Sequence, residues 1–219
     1  ECDCPLVVTR ELEERLRQLI RLAPLHLSHN LAGIAAMRKM QPNLQQIACF
    51  DTAFHHSRPR IARLTGLPRS LQDNGLQRYG FHGLSYESAV EAIRQSGVDL
   101  QRERIIIAHL GNGASMCALK NGRSVETTMG FSTLAGLMMG TRCGDLDPGA
   151  VLYLLTAMGM TTDAVQALLY ERSGLLGVSG ISSDMRELLE DRDDLAAREA
   201  IDFFCYRAKH HLAALTAAL

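Results

Sequence analysis

The stretch of sequence that decides the fold is RIIIAHLGNGASMCALKNGRSVET, residues 104–127. Its β-branched run Ile105–Ile107 is typical of a buried strand. A Gly-Asn-Gly turn follows at 111–113, and Asn121-Gly122 is a strong signal for a second hairpin turn. The stretch therefore predicts an antiparallel meander of three strands.

Helical patterns and one further strand pattern flank this meander. Before it, helical spacing begins after Thr9 and is expected to stop at Pro24, and a second helix is expected before Pro42. Residues 46–50 form an apolar strand pattern, residues 56–80 are expected to be mostly loop, and 86–94 a helix capped by Ser85. After the meander, Asp147-Pro148 predicts the start of a helix over 148–158. Further helices are predicted over 162–171, from Ser182 or Ser183, and from Asp194 to the end.

Composition excludes several classes of protein. The 219 residues have a formal net charge of −1, with 47% hydrophobic and 21% charged residues. Such a chain is globular and has no global attraction to nucleic acid or to an anionic membrane. No transmembrane stretch or signal peptide is visible. The six cysteines include no Cys-x-x-Cys pair, which favours neither a zinc ribbon nor a disulfide framework, so we expect a reduced cytoplasmic protein.

Both ends fall inside predicted elements, so we expect a fragment of a longer chain.

Two candidate functional residues stand at the ends of predicted elements. Asp51 follows a buried strand, where a carboxylate can hold Mg²⁺ or orient a nucleophile; it can equally cap the next loop. His82 lies between glycines, where an imidazole can donate a hydrogen bond to developing phosphoryl charge; a purely structural histidine is the alternative.

Three glycine- or serine-rich segments have features of anion sites. The turn 111–113 can aim backbone N–H groups at phosphate, although a plain hairpin would have the same sequence. Arg142 lies among glycines and can swing onto a phosphoryl group, or it can pair with Asp145 or Asp147 to hold its loop. The segment 182–186 begins a helix and can bind an anion there, or simply cap the helix. By contrast, His26-x-x-His29 is expected in a loop without zinc-like partners, and His55-His56 and His210-His211 are expected to be surface pairs.

Taken in order, these segments resemble the acetate kinase family, which includes propionate and butyrate kinases. The resemblance covers essentially all of the chain, and its segments are 23–26, 50–55, 78–85, 108–115, 127–148 and 173–186. It implies an α/β fold of the actin-like ATPase (ribonuclease H-like) superfamily, with two partial α/β domains flanking a cleft. Residues 1–55 would end the first domain, and 56–219 would begin the second, with the meander 104–127 gripping phosphate.

The resemblance also implies a role for individual residues. Asp51 matches a catalytic aspartate near Mg²⁺, and His82 and Arg142 match two groups that stabilise the transition state. The positions that match nucleotide-binding segments are His109, Leu110, Gly111, Asn112, Gly113, Asp184, Met185 and Arg186. The positions that match the substrate pocket are Leu25, His26, Phe81 and Thr133.

The implied reaction is reversible, Mg²⁺-dependent phosphoryl transfer from ATP to acetate, giving acetyl phosphate and ADP. The implied assembly is a homodimer that binds neither nucleic acid nor membrane. The chain departs from the family at Leu27-Ser28, where Asn-Pro is usual, at Tyr86, where His is common, and at Thr133, where a proline lines the acyl pocket. Propionate kinase activity is therefore an alternative, and an inactive fragment that lacks the N- and C-terminal parts of the family is another. A histidine-based metal hydrolase and a structural protein of the superfamily are more distant ones.

Overall fold

The computed structural model describes residues 3–20 and 24–219. Its strands are β1 Leu6–Val7, β2 Ile47–Ala48, β3 Arg104–Leu110, β4 Ala114–Lys120 and β5 Arg123–Thr127. Its α-helices are α1 Arg10–Gln18, α2 Pro24–Met40, α3 Arg60–Arg63, α4 Arg69–Asp73, α5 Gly83–Gln95, α6 Pro148–Thr156, α7 Thr162–Glu171, α8 Gly174–Ser179, α9 Met185–Glu190 and α10 Leu195–Thr216. A 3-10 helix covers Ala53–Ser57.

The predicted meander is present as an antiparallel sheet in the order β3-β4-β5. Leu110 pairs with Ala114 and Lys120 with Arg123, so tight turns join the three strands as the glycine-rich turn residues require. The central strand β4 is buried along its length except at Lys120. This sheet is the platform from which the 111–113 turn projects.

Alternate residues of β4 face two different cores, as strand geometry demands. Ala114, Met116 and Ala118 pack in a cluster with Leu137 and Leu215, the latter from α10. On the opposite face, a second cluster contains Cys117 and Leu119 with Tyr86, Val90 and Leu100. Burying a side chain such as Leu119 contributes about 1.5–3 kcal/mol, so α5 and α10 are held firmly on opposite faces of the sheet.

Within residues 3–20 and 24–50, α1 and α2 pack together and β1 pairs with β2. Thr9 caps α1 by accepting the Leu12 N–H at 3.1 Å, as predicted. Leu12, Leu16 and Leu31 form the core of this unit. The buried carboxylate of Glu13 is paired with Arg38 of α2, whose hydrogen bond lowers the pKa of Glu13. The domain division at residue 55 stays a prediction.

Several predicted boundaries were wrong. Pro24 does not end the first helix; it is the first residue of α2, where proline loses no hydrogen bond, and His29 therefore lies in a helix and not in a loop. The segment 56–80 is mostly loop as expected, and it also contains the short helices α3 and α4. Helix α5 begins at Gly83 after His82, not at Tyr86 after Ser85. Asp147 and Asp194 cap α6 and α10 as predicted.

Candidate active site

Asp51 joins the end of the β2 segment to the start of α5. One carboxylate oxygen accepts the His82 N–H at 2.7 Å, and the other accepts the Leu84 N–H at 3.4 Å. Its backbone carbonyl accepts the Gly83 N–H at 2.8 Å. An anion at a helix N-terminus is stabilised by the unpaired N–H groups and the helix dipole. Asp51 therefore caps α5, and this role fixes it beside His82.

His82 occupies the residue before α5 in a left-handed conformation, with φ 63°. Its Nδ1 lies 2.8 Å from Ser115 Oγ on β4. Its ring stacks on the His109 ring with centroids 4.2 Å apart, and His109 Nδ1 lies 2.9 Å from Ser85 Oγ. Contacts to the sheet and to a second imidazole thus fix the orientation of the His82 ring.

Gly113 lies close to both the His82 imidazole and the Arg142 guanidinium. A β-carbon on Gly113 would lie 3.1 Å from His82 Nε2 and 3.6 Å from Arg142 Nη1. An atom at that point would be within hydrogen-bonding distance of Nε2 and just beyond it for Nη1. The glycine keeps this space open beside the 111–113 turn.

Arg142 is a buried guanidinium, only 7% exposed, on the loop between β5 and α6. Its Nη1 donates to the Thr133 carbonyl at 3.3 Å. Burial lowers the pKa of Arg142, but an arginine remains charged at neutral pH. The carboxylates proposed as loop partners contact other groups: Asp145 accepts the Gly136 N–H at 2.6 Å, and Asp147 caps α6. Arg142 therefore places a buried guanidinium beside Thr133 and Gly113.

Gly140 brings the two predicted nucleotide segments together. Its N–H donates to the Asn112 carbonyl at 3.1 Å, and a β-carbon there would lie 3.1 Å from the Ser183 carbonyl and overlap the Asn112 side chain. Asp184 caps α9 and forms an ion pair with Arg186 at 2.7 Å. The turn 111–113 and the start of α9 therefore lie side by side, and Met185 packs into the core beneath them.

The predicted substrate residues are only partly described. Thr133 is buried and contacts Arg142 through its carbonyl, which places it next to the Gly113 space. Phe81 precedes His82 and packs at the edge of the sheet's core. The backbones of Leu25 and His26 belong to α2, but their side chains lie outside the described residues.

Sequence analysis missed a layer of buried polar side chains beneath His82. His55 is fully buried, so its prediction as a surface residue was wrong. Its Nε2 lies 2.9 Å from the Phe81 carbonyl and its Nδ1 2.9 Å from Ser124 Oγ. Arg58 donates to the carbonyls of residues 78 and 79 at 2.7 and 2.8 Å. The only hint in the sequence was the apolar residues beside His55 in the 50–55 segment. His55 and His56 are consecutive in a 3-10 helix and therefore point in different directions, so one is buried and the other exposed.

His55 should make folding stability depend on pH. Burial lowers the pKa of His55 to about 4, so the unfolded chain takes up a proton near pH 6.5 that the folded protein binds only near pH 4. The free energy of unfolding should therefore fall by about 3 kcal/mol between pH 6.5 and pH 4 because of this residue alone. Urea unfolding across this pH range measures the effect.

The matched control for His55 is its exposed neighbour His56. His55→Gln should flatten the pH dependence, whereas His56→Gln should leave it unchanged. Because His211 also has a lowered pKa through burial, the comparison uses the difference between variants. Equal slopes for His55→Gln and the parent protein would contradict this assignment.

Comparison with solved structures identifies the fold class. A crystal structure of Porphyromonas gingivalis acetate kinase matches with a TM-score of 0.88 at 38% identity, covering 100% of this chain and 56% of that one. A propionate kinase from Francisella tularensis matches with a TM-score of 0.92 at 34% identity, covering 99% of this chain and 57% of that one. The predicted α/β fold of the actin-like ATPase type is confirmed.

The family follows from the sequence comparison. The chain belongs to the acetokinase family, whose model matches residues 3–219. An acetate kinase of Rhodopseudomonas palustris strain TIE-1 is 55% identical over 218 residues, which are 99% of this chain and 54% of that protein. One of Methylocella silvestris is 50% identical over 215 residues, 98% of this chain and 53% of that protein. The chain thus spans about half the length of the curated relatives it matches.

Among residues 3–20 and 24–219, no three His, Cys, Asp or Glu side chains group together as a metal cluster. Within the same residues, no helix is both long and apolar enough to cross a membrane.

Proposed function

We propose that the protein of which this chain is a part is an acetate kinase, transferring a phosphoryl group reversibly from ATP to acetate. The observation that carries the proposal is the convergence of His82 Nε2 and Arg142 Nη1 on the space beside Gly113. Two such donors match the equatorial oxygens of a phosphoryl group in transit.

The chemistry needs alignment and positive charge more than proton transfer. An oxygen of the acetate carboxylate forms a bond to the γ-phosphorus while the bond from that phosphorus to the β-phosphate oxygen breaks, and ADP leaves. Acetate is already an anion, so no base has to activate it. Arg142 and His82 stabilise the charge that spreads over the equatorial oxygens, and Asp51 orients the site because both of its oxygens anchor the His82 turn.

Asp51 is also the residue proposed to hold Mg²⁺. A carboxylate with remaining lone pairs is a fitting ligand, and Mg²⁺ often uses only one or two protein carboxylates together with water and substrate phosphates. Bound there with ATP, the ion would offset phosphate charge.

The nucleotide is proposed to lie along the segments that Gly140 joins. The exposed turn 111–112 supplies backbone N–H groups for the ATP phosphates, and the start of α9 offers Asp184 and Arg186 at the surface nearby. The His109 ring stacks on the His82 ring and helps to hold it in place.

Propionate is the second candidate acceptor. The likeness to a solved propionate kinase, with a TM-score of 0.92, favours it, and buried Thr133 stands next to Arg142. One added methylene changes binding by about 1–3 kcal/mol at most, so a single pocket can accept both acids with different kcat/KM. A homodimer in the cytoplasm is proposed on the family resemblance alone.

The decisive experiment restores the flanking segments. The chain is assayed alone and as a chimera that replaces the matching 218 residues of the Rhodopseudomonas palustris acetate kinase. Acyl phosphate formed from ATP and acetate, propionate or butyrate is trapped with hydroxylamine. The chimera should be active with acetate and require Mg²⁺. A folded chimera that forms no acyl phosphate from any of the three acids would contradict the proposal.

A further inference from the structure

The peptide bond between Phe81 and His82 is held on both of its sides by residues that follow β2. Its carbonyl oxygen lies 2.9 Å from His55 Nε2, and its N–H donates to Asp51 Oδ2 at 2.7 Å. Because a peptide bond is planar, hydrogen bonds on opposite sides fix the direction of the whole plane. The buried side chain of His55 therefore acts on the backbone immediately before His82.

The proton on the His55 ring can be assigned because one of its partners can only accept. The Phe81 carbonyl has no hydrogen to donate, so Nε2 carries the proton and donates to it. Nδ1 of the neutral ring is then an acceptor, and Ser124 Oγ donates to it at 2.9 Å. Burial lowers the pKa of His55 to about 4, which keeps the ring neutral near pH 7. Strand β5 thus holds the imidazole, and the imidazole holds the Phe81 carbonyl.

The direction of this peptide plane decides the backbone conformation of His82. The φ of His82 is 63°, a left-handed conformation that persists for a residue with a β-carbon only where its surroundings enforce it. Rotating the peptide plane by half a turn would carry this φ into the negative, unstrained region. The same rotation would break both hydrogen bonds, because the carbonyl would leave His55 and the N–H would leave Asp51.

Gly80 allows the His55 ring to reach this peptide. A β-carbon on Gly80 would lie 2.7 Å from His55 Cδ2, closer than any real contact allows. The backbone of residue 80 therefore packs directly on the imidazole, and the ring has a fixed place beneath the Phe81–His82 peptide.

We propose that His55 is a positioning residue that, together with Asp51, prevents the Phe81–His82 peptide from rotating and so keeps the His82 imidazole beside Arg142. A rotated peptide would redirect the His82 side chain away from Ser115, whose Oγ now lies 2.8 Å from its Nδ1. The inference rests on the proposed function for its effect on catalysis, whereas the fixed peptide is a property of the folded chain.

The advantage of glycine over alanine at position 82 measures whether the peptide is held. Both His82→Gly and His82→Ala remove the imidazole, and only alanine is strained in the left-handed region. In the otherwise unchanged chain, the folding equilibrium constant should be about tenfold larger with glycine. When His55→Leu is added, the Phe81 carbonyl loses its donor and the peptide can rotate, so this advantage should fall below about threefold. Urea unfolding of the variants gives the constants.

His55→Gln is the conservative variant, because its amide N–H can reach the Phe81 carbonyl from about the place of Nε2. It should restore the glycine advantage to about tenfold. In the active chimera, His55→Leu should lower kcat by about 10–100-fold and change KM for ATP by less than about twofold. His55→Gln should keep kcat within about threefold of the parent, a rescue that general support of the fold would not produce.

Two control variants separate this role from general effects on folding. His56→Leu makes the same chemical change at the exposed neighbour on the same 3-10 helix. Leu100→Ala creates a cavity in the core beside Gly122, at the turn between β4 and β5, and lowers stability there. Both controls should keep the parental glycine advantage and kcat.

Three results would overturn the inference: an equal glycine advantage with and without His55→Leu, a parental kcat in His55→Leu, or a His55→Gln protein no better than His55→Leu. If His55→Leu does not fold, His55→Asn replaces it, because its shorter amide cannot reach the Phe81 carbonyl. If the unsubstituted chimera itself is inactive, the proposed function fails instead, and the unfolding data still decide whether His55 holds the peptide.

Discussion

Replacing Arg142 with alanine is expected to lower kcat of the active chimera by about 10²–10³-fold, with a much smaller rise in KM for ATP. The guanidinium is buried and lies beside the Gly113 space with His82, where we propose that it contacts the phosphoryl group in transit. A group that acts mainly in the transition state changes kcat more than ground-state binding. Steady-state kinetics with ATP and acetate provides the measurement.

The control for this arginine is Arg94→Ala, which removes an exposed guanidinium paired with Glu91 on α5. Exposed pairs contribute about 0–1 kcal/mol, so this variant should keep both activity and stability. If Arg142→Ala lost folding stability and rate in equal measure, its bond to the Thr133 carbonyl would make it a structural strut of its loop.

Replacing Gly83 with alanine is expected to have the second largest effect. Its β-carbon would lie 3.0 Å from the Phe54 β-carbon and would overlap the Asp51 carbonyl that accepts the Gly83 N–H. Because the obstacle is backbone, α5 must move away from Asp51. We expect a loss of about 2–3 kcal/mol in the free energy of unfolding, and a fall in kcat of more than about tenfold because His82 moves with the helix.

Gly33→Ala is the matched control, because it makes the same change inside α2 with nothing within 4 Å of the new β-carbon. Alanine there should be neutral or should stabilise the protein by about 0.5–1 kcal/mol. Urea unfolding and kinetics on both variants separate the two cases. A Gly83→Ala protein with parental stability and kcat would show that the contact between Asp51 and α5 is not needed.

The meander and the caps of α6 and α10 could be predicted because their signals are local. Asn121-Gly122 and Asp147-Pro148 each specify a turn or helix start within a few residues. The start of α5 could not be predicted in this way. Its cap is the Asp51 carboxylate, 31 residues away in sequence from the His82 N–H that it accepts, and no local pattern encodes such a contact.

The candidate site shows the same division. Asp51, His82 and Arg142 were named from local chemistry and from a family resemblance, which assigned Gly113 to a phosphate-binding turn but gave no reason for the absence of a β-carbon there. The structure adds one, because its missing β-carbon leaves room between two donors. The burial of His55 was missed because its partners lie on strand β5 and on the segment before His82, which approach it only in the folded chain.

The left-handed backbone of His82 sets two kinds of selection against each other. A residue with a β-carbon at φ 63° costs about 1–2 kcal/mol that glycine avoids. Selecting variants for thermal stability alone would therefore favour glycine at position 82. Selecting for turnover would instead favour the histidine, if its proposed role in phosphoryl transfer holds. Thermal endurance and speed should therefore trade off at this one amino acid, and only a screen that scores both would retain the imidazole.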